Sequence, residues 1–141
     1  MSYFLSIVIL SIFFIVVSGA SEAVMDKLQF HFHKSIFSGS KYKQEFWDPS
    51  KSWVNKYKSV DTLEPKFLGS TTYFVFLTDA WHLFKFFKNT SIFIALSLAF
   101  LISPNFNYDI VFALIYFILG RALYGMSFSL TFYIILNANK K

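Results

Sequence analysis

Residues 3–17 read Tyr-Phe-Leu-Ser-Ile-Val-Ile-Leu-Ser-Ile-Phe-Phe-Ile-Val-Val, and residues 18–34 continue Ser-Gly-Ala-Ser-Glu-Ala-Val-Met-Asp-Lys-Leu-Gln-Phe-His-Phe-His-Lys. The first part is uncharged and apolar apart from two serines, which is the pattern of a segment dissolved in lipid. The second part keeps helical spacing but gains a polar line: Glu22, Asp26, Gln29 and His33 fall at i, i+4, i+7 and i+11. At about 100° per residue they share one narrow face of a helix. Ionisable groups at the edge of a bilayer are costly unless paired, hydrated or used, so this face marks where any chemistry is expected.

The rest of the chain fits lipid as its solvent. Of 141 residues 55% are hydrophobic and only 15% charged, with 20 Phe, more apolar surface than a soluble domain of this size can bury. The excess comes in long blocks, which predict an all-α membrane protein of one domain with three transmembrane helices. These are placed at about 3–25, 78–102 and 109–136, with an interfacial loop over 34–69. The first helix is expected to run on to His33 or Ser35. Ser103-Pro104 stops the second, which begins between Ser70 and Phe86, and Asp109 suits the N-terminus of the third. A four-helix alternative would split 69–102 and separate the basic loop from the basic tail.

The net charge of +5 is placed asymmetrically. Eight lysines lie between Lys27 and Lys66, and Lys140-Lys141 end the chain. That is a positive-inside pattern rather than a groove-binding stripe, so membrane lipids are the expected partner and nucleic acid is not. It predicts an inner (plasma) membrane protein with its N-terminus outside and its C-terminus in the cytoplasm. Ser18-Gly19-Ala20 resembles a signal-peptide cleavage site, a rival reading, but Met1-Ser2-Tyr3 lacks the usual cation and cleavage would export the most basic segment. In the loop, Phe46, Trp47, Trp53 and Tyr57 alternate with Lys51, Lys56 and Lys58, which suits a segment at headgroup level. The absence of Cys excludes disulfides, thiolate metal sites and Cys nucleophiles.

Counting about 1.5 Å per residue from the outer helix ends brings three polar faces to one depth. Glu22, His82, Lys85 and Ser127 fall at about 27–31 Å, with Asp26 and Asp79 slightly deeper. Arg121 lies higher, at about 18 Å, and Glu22 is its nearest expected carboxylate. The candidate metal ligands are Glu22, Asp26, His33, Asp79 and His82. Asp79 and His82 have the i, i+3 spacing by which one helix offers two ligands, and the oxygen and imidazole donors suit Zn, Fe or Mn. Asp26, Asp79 and His82 are the candidate catalytic groups. Lys85, Arg121, Tyr124 and Ser127 are candidates for substrate binding, the cations neutralising a lipid phosphate. For Lys85 and Lys88 the simpler expectation is that they snorkel to the interface. His31 points away from His33 on a continuous helix and is left out of the set.

Met25-Asp26, Leu28-Gln29-Phe30-His31, Trp53-Val54-Asn55-Lys56-Tyr57-Lys58 and Thr78-Asp79-Ala80-Trp81-His82 together resemble small integral membrane proteins of bacteria to which no activity is attached. The resemblance covers roughly residues 20–90 and implies a membrane location but no reaction. Three functions are therefore carried forward. The first is a membrane-embedded enzyme, metal-dependent or not, acting on a lipid or lipid-linked substrate at the cytoplasmic leaflet. The second is a non-enzymatic membrane subunit that binds a partner protein or its own copy (a homo-oligomer) through polar helix faces. The third is a small oligomeric transporter or proton path.

Overall fold

The computed structural model describes residues 2–39, 44–102 and 110–137. Lys41, Lys43, the Pro104–Tyr108 turn, Asp109 and the Lys140-Lys141 tail lie outside the described residues. Among the described residues three helices are long and apolar enough to cross a membrane. Helix α1, Ser2–Phe30, has 29 residues, about 43 Å, so it outreaches a hydrocarbon core of about 30 Å. It ends earlier than the sequence predicts. His31 leaves helical geometry at φ −137°, and a 3-10 turn, Phe32–Lys34, takes over. The polar line of Glu22, Asp26 and Gln29 therefore does not extend to His33.

The loop is folded rather than merely laid out. Two short helices, α2 (Gln44–Trp47) and α3 (Pro49–Ser52), are joined by Asp48, which caps α3 by accepting the Ser50 N–H at 3.0 Å, with Pro49 in the first turn. Residues 56–66 form a hairpin-like excursion. Lys58 N–H donates to the Glu64 carbonyl, and Lys66 N–H to the Lys56 carbonyl, each at 2.9 Å. The buried Ser70 hydroxyl pins its base, donating to the Lys56 carbonyl at 2.7 Å and accepting from Lys66 N–H at 3.1 Å. Gly69 takes φ +81°, which a side chain rarely adopts, and the Phe74 ring fills the space beside it.

Helix α4, Ala80–Ile102, starts directly after turns over 68–79, so block 69–102 supplies one span, not two. Helix α5, Ile110–Leu130, ends in a π-helical turn, Thr131–Ile135. Contacts fix the directions. Ser11 meets Ala95 and Ser18 meets Lys88, so α4 runs antiparallel to α1. Ser11 also bonds Tyr116, while Lys27 bonds Asn137, so α5 runs parallel to α1. The loop and the end of α5 thus share one end of the molecule, where Ile36 N–H donates to the Leu136 carbonyl at 3.1 Å.

α1 is the central helix. A third of its most apolar window (33%) is buried, against 11% for α4 and 6% for α5. Small residues permit this: Ser11, Ser18 and Ala23 are almost fully enclosed, and a Cβ on Gly19 would overlap the Ser127 hydroxyl and the Tyr124 carbonyl. Ser18 and Gly19, which read as part of a cleavage site, are packing residues in the bundle. At the loop end Val24, Leu28, Ala80 and Leu136 form a core covered by Phe32, Phe37, Phe46, Trp47, Trp81 and Phe84. Phe37 and Trp47 stack at 4.6 Å. Phe46 and Trp47 are thus partly buried and cover this core, where their spacing among lysines suggests headgroup aromatics. Trp53 stays exposed, and so do Leu68 and Tyr73 just before α4.

Candidate functional site

The polar groups inside the spans meet at one level. Glu22 is eight residues from the end of α1 and Lys88 eight from the start of α4, each about 12 Å from the loop end. They form an ion pair, and the Tyr124 hydroxyl of α5 donates to the same carboxylate. All three long helices are tied at Glu22. Both side chains remain partly open, 28% for Glu22 and 30% for Lys88. One turn further along α1, half-buried Asp26 lies within the field of Glu22, Lys88 and His31. His31, left out on the basis of a continuous helix, is the histidine whose charge bears on Asp26. Its ring meets Phe132 edge to face at 5.5 Å.

Arg121 does not reach Glu22 as expected; Lys88 occupies that place. The Arg121 guanidinium instead lies over the Tyr124 ring at 5.6 Å and passes 3.4 Å from where a Gly125 Cβ would stand. Its residue is exposed, and among the described residues it makes no ion pair. Ser127 is buried against Gly19 and donates to the Tyr124 carbonyl at 2.9 Å, so its hydroxyl packs between α5 and α1.

Asp79 and His82 come together in a different role from the one their spacing suggests. Asp79 precedes the first residue of α4, and its Oδ1 accepts the His82 N–H at 2.9 Å, an N-terminal cap. Both its oxygens lie 2.8 Å from His82 Nδ1, and Thr78 donates to Oδ2 at 3.1 Å. Burial works to raise the Asp79 carboxyl, but the hydrogen bonds from the His82 ring and backbone, the His82 charge and the Thr78 hydroxyl outweigh it and leave the carboxyl below its ordinary range. Lys85, next along α4, stacks over Trp81 at 4.9 Å. His33 is exposed in the 3-10 turn, and its charge bears on Asp48. The Asp48 carboxyl is held low by the Ser50 hydroxyl, with burial opposing and the Ser50 N–H, Lys51 and His33 adding to the effect.

These positions do not fit a shared metal. Among the described residues no three of His, Asp and Glu converge as a metal-binding group. Asp79 and His82 face each other, the Asp79 oxygens meeting Nδ1 of the ring. The charged group the sequence reading leaves out is Lys88, set aside as a snorkelling lysine. Its signal is present: Phe84, Lys88, Ser91 and Ala95 recur at helical spacing, and the last two are small and buried, which marks the stripe turned to a neighbouring helix.

No protein-family model, curated protein or solved structure matches this chain. The geometry alone carries the functional reading.

Proposed function

We propose that this protein is a non-enzymatic membrane subunit, a three-helix unit that binds another polypeptide within the bilayer through the outward face of α5. One observation carries the reading: Arg121 stands exposed in the middle of a membrane-spanning helix without a carboxylate from the described residues of its own chain. An arginine at that depth costs about 2.5–3.5 kcal/mol on insertion scales, and such residues are kept where they pair or line a polar path. A lipid-directed enzyme acting through Asp26, Asp79 and His82 draws less support. Asp79 and His82 are engaged as a helix cap, and Ser127 is walled off by Gly19.

We place the loop and the end of α5 at the cytoplasmic face of a bacterial plasma membrane, on the strength of eight lysines between Lys27 and Lys66. Photo-crosslinking in native membranes tests the subunit reading. A photoreactive residue at Phe117, exposed on α5 beside Arg121, is expected to give a discrete protein adduct. One at Phe93, exposed on α4, is expected to give lipid adducts only. Lipid adducts alone from both positions would end the proposal.

A further inference from the structure

We infer that the partner of α5 is a different polypeptide whose transmembrane helix carries an Asp or Glu opposite Arg121. This rests on the reading of α5 as a docking face and adds the chemistry of what docks there. Arg121 lies eight residues from Ala113 and fourteen from Ile135, the ends of the apolar segment, or about 12 and 21 Å. Around it Leu114, Phe117 and Ile118 are exposed and apolar, and no described residue of its own helix is an acid. Both distances exceed the reach of an arginine side chain, so a lipid phosphate at either surface is too far to neutralise it. The guanidinium bends one turn toward the loop end, over Tyr124 and along Gly125, and at the level of Gly125 it still stands ten residues, about 15 Å, short of Ile135.

Among its described residues, a second copy of the chain is a poor match in charge. Its Glu22, the carboxylate nearest this level, is already held by Lys88 and Tyr124. Its Asp26 is four residues from the end of α1, about 6 Å, and so roughly 15 Å closer to the loop end than Arg121. Asp79 is buried in its cap at the start of α4. A separate helix with one membrane-buried carboxylate satisfies the cation, and a bidentate Arg–carboxylate pair in hydrocarbon is strong and directional. Beside the guanidinium the same face carries small residues, exposed Ala122 and Ser129, which let a neighbouring helix come close.

Full-length protein in vesicles of neutral phosphatidylcholine, labelled at Thr62→Cys, provides the test by energy transfer to synthetic Leu/Ala helices of about 20 residues. The helices carry a central Asp, Asn or Leu. The Asp helix is expected to associate about tenfold more tightly than the Leu helix, with Arg121→Leu abolishing the preference and Arg121→Lys keeping part of it. Arg121 is exposed, so these variants leave the packing of the bundle intact, which circular dichroism checks. Equal binding of Asp and Leu helices, or a preference that survives Arg121→Leu, overturns the inference while leaving the docking face standing. Binding of neither helix overturns it as well, and the Phe117 crosslink then tells whether the subunit reading falls with it. Loss of the Asp helix on adding phosphatidylglycerol, in the wild type alone, would assign Arg121 to lipid phosphate and also overturn it.

Discussion

Lys88 of α4 holds the Glu22 carboxylate of α1 in an ion pair, on which the Tyr124 hydroxyl of α5 also converges. Two flanking helices that are themselves mostly lipid-facing are thereby fastened to the central one at a single atom group. Apolar side chains cannot do this selectively in lipid, because a Leu–Leu contact competes with equally apolar acyl chains. Position and register therefore depend on a few polar pairs and on close packing at small residues.

The pair is expected to show strong coupling. Glu22→Gln and Lys88→Met should each destabilise the bundle by about 2–3 kcal/mol, because each leaves a charge without its partner inside the membrane. The double variant should cost less than the sum, with a coupling of about 1 kcal/mol or more. Reversible unfolding in mixed micelles measures all four proteins. Additive losses would show that the pair does not fasten α4 to α1.

Close approach at Gly19 makes a second prediction. Gly19→Leu places a side chain where the Ser127 hydroxyl and the Tyr124 backbone now lie, and it should cost about 2–3 kcal/mol by forcing α5 away from α1. Gly39→Ala meets nothing within 4 Å and should change stability by less than about 0.5 kcal/mol. Thermal unfolding in detergent compares the two directly.

What could be read from the residues, and what could not, follows the range of the interactions. The three spans were legible because apolar blocks longer than a bilayer have few other uses. Glu22 and Tyr124 were legible as inward groups from helical spacing and depth. Lys88 was not, since a long lysine side chain near a helix end has two outcomes and only the neighbouring Glu22 decides between them. His33 was misplaced because nothing local in Phe30-His31-Phe32 stops a helix as Pro or Gly would; the chain turns there as the loop folds back and Ile36 bonds Leu136. Asp79-x-x-His82 is compatible with both a ligand pair and an N-terminal cap. In the structure α4 starts at Ala80 and Asp79 caps it.

That cap gives a pH dependence. The Asp79 carboxyl titrates below its ordinary value of 3.8, so its ionised form is favoured in the folded state. Stability from this group is therefore fully present above about 3.8 and is lost as pH falls through the lower, folded value. Asp79→Asn, which can still accept the His82 N–H, should flatten the acid side of a stability profile. Asp79→Ala should in addition cost about 1 kcal/mol at neutral pH. An acid limb unchanged in Asp79→Asn would assign the loss to other carboxylates.

The same geometry bears on metal binding. Protein purified without chelator is expected to carry well under one Zn, Fe or Mn per chain by elemental analysis, because no third ligand joins Asp79 and His82 among the described residues. His82→Ala should leave that value unchanged. Stoichiometric metal that disappears in both Asp79→Ala and His82→Ala would restore a metal site and with it the enzyme reading.

Topology offers the last test, and the chain suits it because it has no native cysteine. Thr62 sits in the exposed hairpin and Asn137 beyond the end of α5, both at the loop end, while Tyr3 is exposed at the opposite end of α1. Cysteines at Thr62 and Asn137 should therefore react together with a membrane-impermeant thiol reagent, and one at Tyr3 should react from the other side. With the lysines of the loop facing the cytoplasm, sealed right-side-out vesicles should label Tyr3→Cys alone, and inverted vesicles the other two. Labelling of Thr62→Cys and Asn137→Cys from opposite sides would break the three-span arrangement. Labelling of both from the outside would keep the spans but reverse the orientation, and the positive-inside assignment would be wrong.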